Sequence, residues 1–278
     1  MTTPSSPASS ARRGWLALSL FGVVALAAPP ADAQLPLPGK PSEDVAAIHD
    51  RCVDLARSDP KAALDRARLW ESEGGGFAAE HCIAMAYFML KDYSGAAQRF
   101  ETLANAMMGM PPLQRAQALD QAGQSWLDAN EPERAKAAFD AALALGGQET
   151  DLLIDRSEAY AALHKYWDAI DDLNSALERD PKRADALIYR ATAYRYVDSL
   201  DLAMEDIERA IALVPNSPAA ILERGNIRRL KGDIAGARAD WLQVKDLSPK
   251  TAEGKAAELN LEHLAGTAAV EGKKKPGS

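Results

Sequence analysis

The sequence predicts an all-α protein built as a stack of repeated helix pairs, and three observations predict it. The stretch AIDDLNSALERDP, residues 169–181, returns 34 residues later as AMEDIERAIALVP and after another 34 as ARADWLQVKDLSP. Each copy carries apolar residues at the spacing of one helical face and stops at a proline, which cannot continue a helix. Alanine is abundant, aromatics make up only 6% of the chain and β-branched residues are sparse, a composition that favours helix over strand.

Alignment on Ala169, Ala203 and Ala237 extends the pattern. Sixteen residues earlier stand Leu153, Leu187 and Ile221, and twelve earlier the small residues Ser157, Ala191 and Gly225. Four residues later come Leu173, Ile207 and Trp241, seven later Ala176, Ala210 and Val244, and twelve later Pro181, Pro215 and Pro249. Each unit therefore reads as two amphipathic helices with a break between them, the small residues letting the pair approach and the large ones filling the gap. A fourth copy precedes these, with Leu119, Gly123, Trp126, Ala135, Phe139 and Ala142 in register and Gly147 in place of the proline. A weaker fifth is centred on Ala96, with Ala84, Tyr87, Tyr93 and Phe100. Its step to Ala135 is 39 residues, and the extra five are assigned to the connection MMGMPP.

VAAIHDRCVDLAR and PKAALDRARLWES read as one more helix pair without a firm register. SPKTAEGKAAELNLEHLAG reads as a closing helix with Ser248 as N-cap, Pro249 in its first turn and Gly266 beyond its end. The expected organisation is a helical stack over residues 43–264, most secure over 116–249, and a disordered tail over 265–278.

This small-large pattern, period and terminal proline resemble the tetratricopeptide repeat, a 34-residue helix-turn-helix unit. The resemblance implies a right-handed solenoid closed by a capping helix, in which neighbours bury faces that one pair alone leaves open. It also implies that first helices line a concave groove that selects a ligand. By register that groove presents His81, Met85, Phe88 and Met89, then Gln117, Asp120, Gln124 and Asp128, then Asp151, Ile154 and Glu158. Asp185, Ile188, Thr192, Arg195 and Tyr196 follow, with Leu222, Asn226 and Arg229 last. The lysine and asparagine clamp that some family members use on a terminal carboxylate has no lysine here and only Asn226. Thr192, Arg195, Tyr196, Asn226 and Arg229 are the expected partner-binding residues, suited to an acidic or aromatic segment. Met85, Phe88 and Met89 read either as binding surface or as core.

Charges repeat inside the stack as well. Arg156, Arg190 and Arg224 lie thirteen residues before the aligned alanines, and Asp172, Asp206 and Asp240 three after, whereas the fourth copy has Ala122 and Ala138 in the two places. Joint presence and joint loss suggest that the charges meet, as ion pairs between helices or, alternatively, as a row of ligand-binding arginines.

The N-terminus reads as an address. Arg12 and Arg13 precede the apolar run Trp15 to Ala28, too short for a comfortable membrane span, and an Ala31-x-Ala33 site follows. The expectation is a Sec-type signal peptide over 1–33, cleaved after Ala33, then a proline-rich linker over 34–42, and a periplasmic or secreted protein without stable membrane insertion. The alternative is a short membrane anchor. Cleavage leaves 30 basic and 39 acidic residues, a formal charge of −9 that disfavours nucleic acid as a partner. Cys52 and Cys82 survive it and read either as a disulfide or as two buried thiols.

No catalytic constellation, cofactor motif or metal-ligand spacing is apparent. The four histidines, His49, His81, His164 and His263, are dispersed, and the carboxylates of MEDIE fall on a helix. The expected function is a non-enzymatic scaffold that binds another protein or a peptide segment. A structural or assembly subunit of an envelope complex, acting through self-association, is the alternative.

Overall fold

The computed structural model describes the backbone of residues 44–274 and the side chains of residues 44–265. The expected signal peptide and linker lie outside the described residues. Thirteen helices and no strand occur among those described: α1 (Val45–Ser58), α2 (Pro60–Ser72), α3 (Gly76–Met89), α4 (Tyr93–Ala106), α5 (Pro112–Asp128), α6 (Pro132–Ala144), α7 (Glu149–Ala162), α8 (Tyr166–Arg179), α9 (Ala184–Tyr196), α10 (Leu200–Leu213), α11 (Pro218–Leu230), α12 (Ile234–Leu247) and α13 (Ala252–Lys274). They form two compact units, α1–α7 through Leu163 and α8–α13 from His164. Within each unit successive helices pack on one another, and each first helix also touches the next first helix, as α5 does α7 and α9 does α11. The chain is an all-α helical-repeat solenoid.

The break between the paired helices has one recurrent geometry. Lys91, Asn130, His164, Asp198 and Gly232 all sit at positive φ, between 59° and 86°. Their spacing is 39, 34, 34 and 34 residues, the register read from the alanines. A left-handed residue ends the first helix and lets the chain reverse, and only Gly232 accepts it without steric cost.

Packing inside the pairs follows size. A Cβ on Gly123 would lie 2.5 Å from the Phe139 ring, and one on Gly225 would lie 2.6 Å from the Trp241 indole. Where the second helix carries the smaller Ile207, the first carries Ala191, and both are fully buried. The largest ring, that of Trp241, thus faces a residue with no side chain at all.

Three boundaries differ from the sequence expectation. Most of the extra residues before the fourth copy extend α5, which has 17 residues against 13 or 14 in α7, α9 and α11. Pro112 at its start is tolerated there because an N-terminal helical N–H has no intrahelical partner anyway. Ser248 caps the end of α12, and α13 is opened by Thr251, whose Oγ1 accepts from the Gly254 N–H at 3.3 Å. Finally, α13 runs through Gly266 to Lys274, into the expected disordered tail, since residues 267–271 offer no proline to stop it.

The first helix pair also acquires a register. In α4, α6, α8, α10 and α12 the aligned alanine donates its N–H to the carbonyl four residues earlier, and Ala63 does the same to Asp59 in α2. Four residues beyond, where later copies place Phe100, Phe139, Leu173, Ile207 or Trp241, α2 has Ala67.

Candidate functional site

The expected partner-binding residues lie on α9 and α11, in the second unit, and most are engaged with one another's neighbours. Arg195 Nε donates to Glu223 Oε1 at 2.5 Å, from α9 across to α11. Burial opposes the guanidinium charge, but the adjacent Glu223 carboxylate holds the Arg195 pKa above its ordinary value. Asn226 Nδ2 donates to Glu223 Oε2 at 3.1 Å, while Asn226 Oδ1 accepts from Trp241 Nε1 at 3.3 Å and Asn260 Nδ2 at 3.0 Å. Thr192 Oγ1 donates back to the Ile188 carbonyl at 3.0 Å. Arg229 is exposed and forms no ion pair among the described residues.

An aromatic stack continues this network. The Arg195 guanidinium lies 4.5 Å from the Tyr196 ring centroid, and Tyr196 stacks on Tyr166 of α8 with centroids 4.6 Å apart and planes 1° from parallel. The Tyr166 hydroxyl in turn lies 2.9 Å from His164 Nδ1. Glu223 and Tyr166 were not singled out by the sequence. Glu223 has Tyr189 and Asp155 at its register positions in the earlier copies, so no repeated signal marks it.

The repeated arginines make a second network. Arg190 grips Asp206 through two hydrogen bonds of 2.7 Å, and Arg224 grips Asp240 through bonds of 3.0 and 2.7 Å. Each also looks back one repeat: Arg156 Nη1 donates to Asp140 at 2.6 Å, Arg190 Nη1 to Asn174 at 2.7 Å, and the Glu208 charge bears on Arg224. Asp140, Asn174 and Glu208 recur in the sequence at a 34-residue spacing. Arg156 and Asp172 fall in different units. In the fourth copy, Ala122 and Ala138 are buried where the charges would stand.

Several residues expected on the groove of the first unit are interior. His81, Met85 and Ile154 are buried, and Phe88 and Met89 are half-buried; His49 of α1 and Phe100 of α4 pack against the His81 ring. His81 Nδ1 lies 2.9 Å from His49 Nε2, and its Nε2 lies 3.0 Å from Gln121 Oε1, so α1, α3 and α5 are joined by a polar line. Burial, reinforced by His49, pushes the His81 pKa down to about 3, and both rings are neutral at pH 7. Cys52 and Cys82, beside this pair, form a disulfide with Cα atoms 6.1 Å apart.

On α5 and α7, Gln124 Nε2 donates to Asp120 at 3.2 Å and to Asp155 at 3.1 Å. Burial, then the charges of Asp155 and Asp151, raise the Asp120 pKa well above its ordinary value. The folded protein thus binds a proton that the unfolded chain releases, and stability falls as pH rises from the usual carboxylate range through the raised value. Asp120→Asn is therefore expected to raise the thermal midpoint at pH 8 and leave it unchanged at pH 3; thermal melts across pH check both limits.

No family model and no curated protein matches the chain. Among solved structures, MamA from Desulfovibrio magneticus RS-1 superposes with a TM-score of 0.52 at 19% identity, covering 66% of this chain and 96% of that one. A second MamA structure gives 0.51 at 19% identity over 64% of this chain and 94% of the other. The protein has the tetratricopeptide-repeat fold. Identities this low carry the tetratricopeptide architecture alone. YrrB, described as a TPR protein with an unusual peptide-binding site, gives a TM-score of 0.49 at 17% identity, covering 69% of this chain and 96% of that one.

Proposed function

We propose that this tetratricopeptide protein is an exported, non-enzymatic interaction scaffold that holds a partner segment against the α9–α11 surface. The observation that carries the reading is the Tyr166–Tyr196 stack, pinned at its edge by the Arg195–Glu223 pair, with the exposed Arg229 one repeat on. The rings are half-buried and already ordered, so a partner's aromatic or aliphatic side chain can pack on them without ordering the receptor. Arg229 supplies a bidentate donor for a carboxylate, which makes an acidic or aromatic segment the fitting partner. Arg195 serves by holding the platform, its charge being matched by Glu223. The same rigidity suits a scaffold that lacks any chemistry of its own.

Residues 1–33 would direct such a protein across the membrane, and no described helix is long and apolar enough to cross one. N-terminal sequencing of the mature protein tests this part: a start at Gln34 supports it, and a start at Met1 refutes it. For the binding surface, the tagged full-length protein is crosslinked in its native cell beside a Tyr196→Ala/Arg229→Glu variant of unchanged melting temperature. The expected result is a captured protein that the variant loses. A partner retained by the variant, or self-crosslinks alone, would overturn the assignment, and the latter would favour the assembly role.

A further inference from the structure

The N-terminal hairpin α1–α2 is attached to α3 differently from the way the later helices are paired. Of the side chains it buries, only Val53 and Leu64 are large aliphatics; Ala56, Ala63 and Ala67 are small, and His49 is polar. Ala67 occupies the position at which later second helices bury Phe100, Phe139, Ile207 or Trp241. A hairpin that lacks the large core residue of its kind gives up much of the apolar stabilisation that the position supplies elsewhere. Beside the small apolar contact with Ile83 and Ala86, its ties to α3 include two polar ones, His49 to His81 at 2.9 Å and Arg68 Nη2 to the Tyr87 hydroxyl at 3.0 Å. The covalent tie is Cys52–Cys82, which joins α1 to α3 across 30 residues of chain.

We propose that this disulfide is a redox latch: its reduction frees α1–α2 from α3 and uncovers an apolar face of α3, while the later helices stay folded. The face comprises Ile83 and Ala86 with the half-buried Tyr87 and Met89. Chemically, a dithiol reductant supplies two electrons and two protons. One of its thiolates attacks Sγ of Cys52, a residue that keeps 8% exposure where Cys82 has none. The mixed disulfide is then resolved by the reductant's second thiolate, leaving thiols on Cys52 and Cys82 and a disulfide in the reductant. Local release is the expected response because the bond suppresses opening of a hairpin that has Ala67 in place of the large core residue, and such openings occur as cooperative substructures.

Amide hydrogen exchange of the full-length protein, with and without dithiothreitol, tests the latch. On reduction the amides of α1 and α2 should exchange faster by on the order of a hundredfold, with α8–α13 unchanged. A Cys52→Ala/Cys82→Ala variant without reductant should reproduce that pattern and bind an apolar-surface dye more strongly than the oxidised protein. Unchanged exchange in α1–α2, equal acceleration throughout α1–α7, or two free thiols in the unreduced protein would each overturn the proposal. The second of these would make the bond a staple for the whole unit.

Discussion

Arg190→Ala should lower the unfolding free energy by about 3–5 kcal/mol, the usual cost of stranding one member of a buried ion pair. Asp206 is 2% exposed and receives both of its short hydrogen bonds from the Arg190 guanidinium. Burial works against the Arg190 charge, yet the hydrogen bonds and charge of Asp206 hold the Arg190 pKa above its ordinary value. After the substitution Asp206 keeps only Arg209, at 3.3 Å and more exposed to solvent, and Asn174 loses its donor. Arg224→Ala should cost less, because Arg228 also reaches Asp240, at 2.8 Å, and remains to neutralise it. Denaturant unfolding of the two variants checks the order. Equal melting of Arg190→Ala and wild type, with loss of a ligand, would mean that the arginine row serves binding instead.

The other large effect is expected at the Gly123–Phe139 contact. Phe139→Ala should destabilise by about 3–5 kcal/mol, since it empties a fully buried ring site between α5 and α6. Gly123→Ala should cost about 1–3 kcal/mol, because the new Cβ has nowhere to go but into the ring. The two positions are coupled, so Gly123→Ala with Phe139→Ile, the combination this chain uses as Ala191 and Ile207, should lose much less than the sum of the single changes. Additive losses in a double-mutant cycle would show that size matching between these positions is incidental.

Both predictions grow from features already present in the amino-acid order. The aligned alanines, the small and large residues flanking them and the 39-residue step reappear as buried contacts and as five left-handed turn residues at the same spacing. Periodicity of this kind is legible because packing within one helix pair is local, and every pair must solve the same problem. The first pair was illegible for the converse reason. Ala67 replaces the large residue that marks the others, and two cysteines and two histidines take over its task.

By itself the sequence determined the repeat, the register of its later copies and the helical class, and it marked the arginines and aspartates that recur together, because each depends on residues a fixed distance apart in one unit. Only the tertiary structure decided which polar groups on the first helices stay available. Arg195 is matched by Glu223, 28 residues away on the next first helix, and His81 is closed over by α1. These contacts join different units of the repeat through residues that occur once, so no period announces them. A side chain's exposure is set by what its neighbours in space happen to be, and that is settled only when the helices are stacked.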